Sequence, residues 1–103
     1  MIVKDKIKIG QAGTLESSDV LVLVRFSPRQ KGIDIELESP SKKCFGKIII
    51  KKIEETLNLL GITDIYIKAQ DRGALDCTIS ARVETAVKRA LNYKEEEEKW
   101  KKD

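Results

Sequence analysis

The 103 residues, 41% of them apolar and 36% charged, suit one small domain with a two-layer core and a highly charged surface. The net charge of +3 comes from lysines interspersed with acids, which excludes the one-sided basic face that nucleic-acid binding needs. The longest apolar run, V-L-V-L-V at 20–24, is far shorter than the roughly 20 residues of a membrane span, and charges interrupt the first ten residues where a signal peptide would be apolar. A cytoplasmic protein without nucleic-acid or membrane partners is expected. In that compartment Cys44 and Cys77 read as free thiols. Two cysteines without any histidine make a poor zinc site.

In chain order, I-K-I at 7–9 is a candidate edge strand. The run V-L-V-L-V-R-F at 20–26 is apolar at alternating positions of both parities as far as Arg25, as in a strand buried on both faces. Strict alternation in I-D-I-E-L-E at 33–38 puts Ile33, Ile35 and Leu37 on one face and three carboxylates on the other, giving a half-exposed strand. The connection S-P-R-Q-K-G at 27–32 is short enough to close these two strands into an antiparallel hairpin. Pro40 and Ser41 then stop the strand. Phe45, Ile48, Ile49, Ile53, Leu57 and Leu60 recur at helical spacing over about five turns, and Gly61 stands where a left-handed C-cap belongs.

Alternation returns in T-D-I-Y-I-K-A at 63–69, with Ile65 and Ile67 inward. Strand, helix and strand in succession predict a right-handed parallel crossover. A second helical stripe runs through Leu75, Ile79, Val83, Ala86, Val87, Ala90 and Leu91, and its start is ambiguous because A-L-D-C-T-I also reads as a strand. From Lys94 onward charge dominates. Trp100 is the apolar exception there and reads as a partner contact in a frayed or disordered tail. The expected fold is α+β, a small mixed β-sheet with two helices packed on one side; residues 1–92 form the domain and 93–103 a charged C-terminal tail.

Catalysis by this chain alone is not expected. Acyl or glycosyl transfer needs a base beside a nucleophile or a pair of carboxylates with separated pKa values, and no histidine is present. No phosphate-cradling glycine motif occurs either. Two blocks stand apart from the core pattern, A-G-T-L-E-S-S-D at 12–19 and D-R-G-A-L-D-C at 71–77. Each combines glycine with small and acidic residues, which by itself is the chemistry of turns. On residue chemistry alone Ser17 is an exposed loop hydroxyl. Asp71, Arg72, Gly73 and Asp76 either cap the second helix or face a partner. Cys44, on the border of the first helical stripe, reads as a small hydrophobe, and Cys77, beside the charge of Asp76, as structural.

The run A-G-T-L-E-S-S-D-V, followed by F-G-K-I at 45–48 and D-R-G-A-L-D-C-x-x-x-A-R-V-E at 71–84, resembles the acyl carrier protein, or gamma subunit, of citrate lyase. The likeness runs from about Ile9 to Leu91 and leaves out the charged tail. It implies a non-catalytic carrier in which Ser17 holds a phosphoribosyl-dephospho-CoA group by a phosphodiester bond. The donor would be 2'-(5''-triphosphoribosyl)-3'-dephospho-CoA and the attaching enzyme a separate prosthetic-group transferase, so the serine needs no base of its own. The thiol of that arm would carry acetyl and citryl thioesters between the alpha subunit, an acyl transferase, and the beta subunit, a citryl lyase, during cleavage of citrate to acetate and oxaloacetate. An acetyl ligase would be a further transient partner. Tethering gives each transfer a high effective concentration. The chain departs from the family at Ser18, where glycine is common, so a second hydroxyl lies beside the implied attachment point. The carrier of malonate decarboxylase and an unmodified protein-interaction module are the alternative readings.

Overall fold

A computed structural model describes residues 6–92. The reading of residues 93–103 as a charged tail, and of Trp100 as a partner contact, lies outside the described residues. Six elements follow one another: β1 (Lys8–Ala12), β2 (Val20–Phe26), β3 (Ile33–Glu38), α1 (Lys42–Leu59), β4 (Ile65–Asp71) and α2 (Asp76–Leu91). The strands form one mixed sheet in the order β1-β2-β4-β3, with β4 antiparallel to β2 and parallel to β3. The expected α+β fold and the parallel β3–α1–β4 crossover are both present, and the edge strand foreseen at 7–9 is β1, displaced to Lys8–Ala12.

The expected hairpin between β2 and β3 is not formed. Strand β4 lies between them, bringing Ile65, Ile67 and Ala69 to complete burial in the middle of the sheet. The 27–32 connection crosses the end of β4 instead of turning back on β2. It is tied there by the Gly32 N–H donating to Asp64 Oδ1 at 2.7 Å and the Ile65 N–H donating to the Gly32 carbonyl at 3.0 Å. With its three outward carboxylates, β3 suits the edge of the sheet, where one flank meets water.

Both helices cover the same face. Val20, Val22 and Val24 of β2 and the inward residues of β4 meet Ile49, Ile53 and Leu57 of α1 and Ile79, Val83, Ala86 and Val87 of α2, all at 8% exposure or less. β2 is therefore buried on one face only, contrary to the expectation of two: Leu21 and Leu23 are half-buried on a sheet face that no helix covers. On that open face the Arg25 guanidinium lies 4.6 Å from the Tyr66 ring centroid, and the Tyr66 hydroxyl donates to Glu36 Oε1 at 2.6 Å. Helix α2 lies so close to β1 that a Cβ on Gly10 would come within 2.2 Å of the Ala86 carbonyl oxygen and 2.5 Å of the Ala90 nitrogen. Only glycine on the strand and alanine on the helix permit that approach.

Helix α1 ends as expected. Gly61 is left-handed at φ 74°, its N–H donates to the Asn58 carbonyl at 3.0 Å, and the Ile62 N–H donates to the Leu57 carbonyl at 2.9 Å, the paired bonds of a Schellman motif. The inner stripe is narrower than the sequence spacing suggests. Phe45 and Ile48 of α1, and Leu75 and Leu91 around α2, are exposed. Cys44 and Cys77 are free thiols but both are exposed, so neither is the packed residue it was expected to be: Cys44 lies off the buried arc of α1, and Cys77 sits in the solvent-facing first turn of α2. No helix among the described residues is long and apolar enough to cross a membrane.

Candidate functional site: the acidic bend and its clamp

Ser17 occupies a corner of the link between β1 and β2. The Asp19 N–H donates to the Glu16 carbonyl at 3.1 Å, which makes 16–19 a four-residue turn with Ser17 and Ser18 as its central residues. Ser18 has φ 66°, the only left-handed non-glycine residue among those described. A turn with positive φ at its third residue favours glycine, so the serine here bears a local conformational cost. Ser17 is exposed, and its side chain makes no hydrogen bond with any described residue.

The turn is held from three sides. At its start Gly13 has φ 95°, and a Cβ there would lie 1.8 Å from the Val20 carbonyl oxygen, so the chain can double back only through glycine. Thr14 Oγ1 donates to Asp19 Oδ2 at 2.8 Å and accepts from the Glu16 N–H at 3.1 Å. At its end, the Ser18 N–H donates to the Arg72 carbonyl at 2.8 Å and the Arg72 N–H donates to the Asp19 carbonyl at 2.9 Å, extending the β2–β4 ladder by one step. The two sequence blocks that stood apart from the core pattern are thus bonded to each other through their backbones.

Asp19 is the hub. Its Oδ1 accepts from the Val20 N–H at 2.7 Å, and its two oxygens accept from Arg82 Nε at 3.0 Å and Nη2 at 3.1 Å in a bidentate pair. The Arg82 guanidinium, with help from Thr14 and the Val20 N–H, holds the Asp19 carboxyl down at about 2. Asp19 is therefore a locked anion and no proton acceptor for Ser17. Since a lowered folded-state pKa stabilises only while the group is ionised, this contribution should be complete above about pH 4 and fade as pH falls toward 2. Arg82→Ala should cost about 1 to 2 kcal/mol, allowing for the solvent around a 40%-exposed arginine. It should also flatten the acid limb of a plot of thermal midpoint against pH. An unchanged acid limb would contradict the clamp.

A second test concerns Ser18. Ser18→Gly should raise stability by about 0.5 to 1 kcal/mol, since relief of the left-handed strain outweighs the extra freedom glycine gives the unfolded chain. Urea titration of the two proteins reads this directly; a loss of stability would contradict the turn geometry.

In the second block Asp71 is buried and serves neither expected purpose. Its Oδ2 accepts from Ser39 Oγ at 2.9 Å and its Oδ1 from the Ala74 N–H at 3.0 Å, so it braces the approach to α2 instead of capping the helix or facing outward. Arg72 contributes its backbone to the bend, Gly73 is exposed, and Asp76 lies exposed in the first turn of α2, where the helix dipole favours an anion. Sequence reasoning gave Thr14 and Arg82 no role. The available signal was the position of Arg82 in A-R-V-E, downstream of the second block.

Residues 7–90 match a family model of acyl carrier proteins described as malonate decarboxylase delta subunit (MdcD). The citrate lyase acyl carrier protein of Halothermothrix orenii is 47% identical over 92 residues, covering 89% of this chain and 96% of that protein. That of Streptococcus uberis is 45% identical over 97 residues, with 94% and 92% covered. The citrate lyase acyl carrier protein of Streptococcus mutans is 56% identical over 79 residues, with 77% and 76% covered.

Proposed function

The chain belongs to the citrate lyase acyl carrier protein family, and on that premise we propose that it carries acyl groups on a phosphoribosyl-dephospho-CoA arm joined through a phosphodiester to Ser17. Among the two named chemistries, the relatives quoted above favour citrate lyase over malonate decarboxylase. The arm supplies a thiol that holds acetyl or citryl groups as thioesters between the alpha and beta subunits while citrate is cleaved to acetate and oxaloacetate. The protein itself is a carrier and not a catalyst.

The observation that supports Ser17 is its exposed side chain, without a hydrogen bond to any described residue, at the corner of a turn in which the Thr14 and Asp19 side chains are engaged with each other and with Arg82. Such a hydroxyl can enter another protein's active site without breaking a bond in its own. A bulky group fits there because the corner faces solvent, whereas Asp19 and Thr14 are occupied by the clamp. Rigidity comes from β2 and β4 at the Ser18–Asp19 end of the turn and from Thr14 at its Glu16 end, so the root of the arm keeps one direction relative to the domain. With Asp19 locked as an anion, no histidine in the chain and no described residue hydrogen-bonded to the Ser17 hydroxyl, attachment falls to a separate transferase. Expression with that transferase and its triphosphoribosyl-dephospho-CoA donor should raise the intact mass by one phosphoribosyl-dephospho-CoA group. Wild-type protein that stays at its unmodified mass under those conditions would remove the carrier reading and favour the unmodified interaction module.

A further inference from the structure

A groove of about 300 Å³ separates α1 from the β4–α2 connection. Phe45 and Ile48 line one side, Gly73 and Asp76 the other, and buried Ile49 and Ile79 close the bottom. Phe45 and Ile48 are 53% and 57% exposed, a considerable apolar area left in water at a concave site. Around them α1 is strongly basic. Lys42, three residues before Phe45, and Lys51 and Lys52, three and four residues after Ile48, lie on the same side of α1 as the apolar pair, and none of the three is paired with a described residue. Lys43 and Lys47, each two residues from Phe45, lie on the opposite side from it.

The stability of α1 does not account for that composition. A helix dipole favours anions at the N-terminal end, yet the first turn of α1 has no acid and its last turn no base. In the same molecule α2 obeys the rule, with Asp76 in its first turn and Lys88 and Arg89 in its last. Nor does the core account for the apolar pair, which lies outside the buried arc of the helix. The groove also adjoins the bend: Gly73 follows Arg72, whose carbonyl accepts the Ser18 N–H at 2.8 Å.

We propose that this basic face of α1, centred on Phe45, Ile48 and the groove beside them, docks onto an acidic protein surface of a subunit served by the arm, with an apolar side chain of that subunit entering the groove. Complementary charge brings the partner in and the buried apolar centre holds it. Docking here sets the root of the arm at the edge of the interface. The identity of the partner rests on the carrier reading; the position of the surface rests on the charge and exposure of α1.

Binding of the full-length chain to purified citrate lyase alpha and beta subunits, measured by calorimetry at low and high salt, tests this. One subunit at least should bind, more weakly as salt rises. Lys42→Glu with Lys51→Glu should weaken binding at least about tenfold and remove most of the salt dependence. Phe45→Ala with Ile48→Ala should weaken it at least about tenfold while leaving the salt dependence in place. All variants should retain the wild-type circular dichroism, since the altered side chains are exposed. Wild-type affinity in both variants would overturn the proposal. So would binding to phosphatidylglycerol vesicles or single-stranded DNA with none to either subunit. The mass gain of the wild-type protein judges the carrier reading separately: a mass gain with patch-independent binding sinks only the docking surface, and patch-dependent binding without a mass gain sinks only the carrier.

Discussion

Ile53→Ala is expected to lower the unfolding free energy by about 2 to 5 kcal/mol, a large part of the 5–15 kcal/mol typical of a domain. Ile53 is fully buried in α1 and belongs to the single core between the helices and the sheet. Truncation removes its contribution to burial and leaves a cavity that neighbours anchored in strands cannot easily fill. Ile48→Ala, on the same helix, should cost less than about 0.5 kcal/mol because that side chain is 57% exposed. Paired urea titrations measure the difference with the same helix as internal control. Similar losses at the two positions would mean that the helix packs through a different face.

That contrast also shows how far the sequence could be read. Spacings of three and four mark Phe45, Ile48, Ile49 and Ile53 alike as one stripe, because periodicity locates an apolar face without giving the width of the surface it meets. The buried arc is set by what α1 packs against, and Phe45 and Ile48 fall at its border. Strand pairing was hidden for a similar reason. Alternation in 33–38 predicted a half-exposed strand correctly, but a short connection says nothing of a later strand entering between its neighbours, as β4 does. The parallel crossover was legible because strand, helix and strand in series constrain one another.

At the site, both turn blocks were visible from their glycine, serine and aspartate content. Their union was not, since it depends on backbone bonds between residues 18–19 and Arg72 and on Arg82 reaching Asp19 from 63 positions away. The departure at Ser18 was visible as a substitution, and its physical meaning emerges only from φ 66°. Cys44 and Cys77 were misjudged because cysteine is often buried, and neither helix turns those positions inward.

Ser17→Ala is expected to abolish attachment of the arm completely while changing stability by no more than about 0.5 kcal/mol. The substitution removes the one oxygen through which the phosphodiester is proposed to form. It breaks no hydrogen bond with a described residue and leaves the backbone bonds from Asp19 and Ser18 in place. Ser18→Ala, which also keeps its N–H bond to the Arg72 carbonyl, should accept the arm as the wild type does. Assembled with the alpha and beta subunits, the Ser17→Ala protein should still bind but support no cleavage of citrate. The most direct measurement is peptide mass spectrometry, with fragmentation across 12–25, of wild-type, Ser17→Ala and Ser18→Ala proteins expressed with the transferase and its donor. One phosphoribosyl-dephospho-CoA group on Ser17 in the wild type and in Ser18→Ala, and none anywhere in Ser17→Ala, is the expected result; the group on Ser18 or Cys77, or a full mass gain in Ser17→Ala, would contradict the assignment.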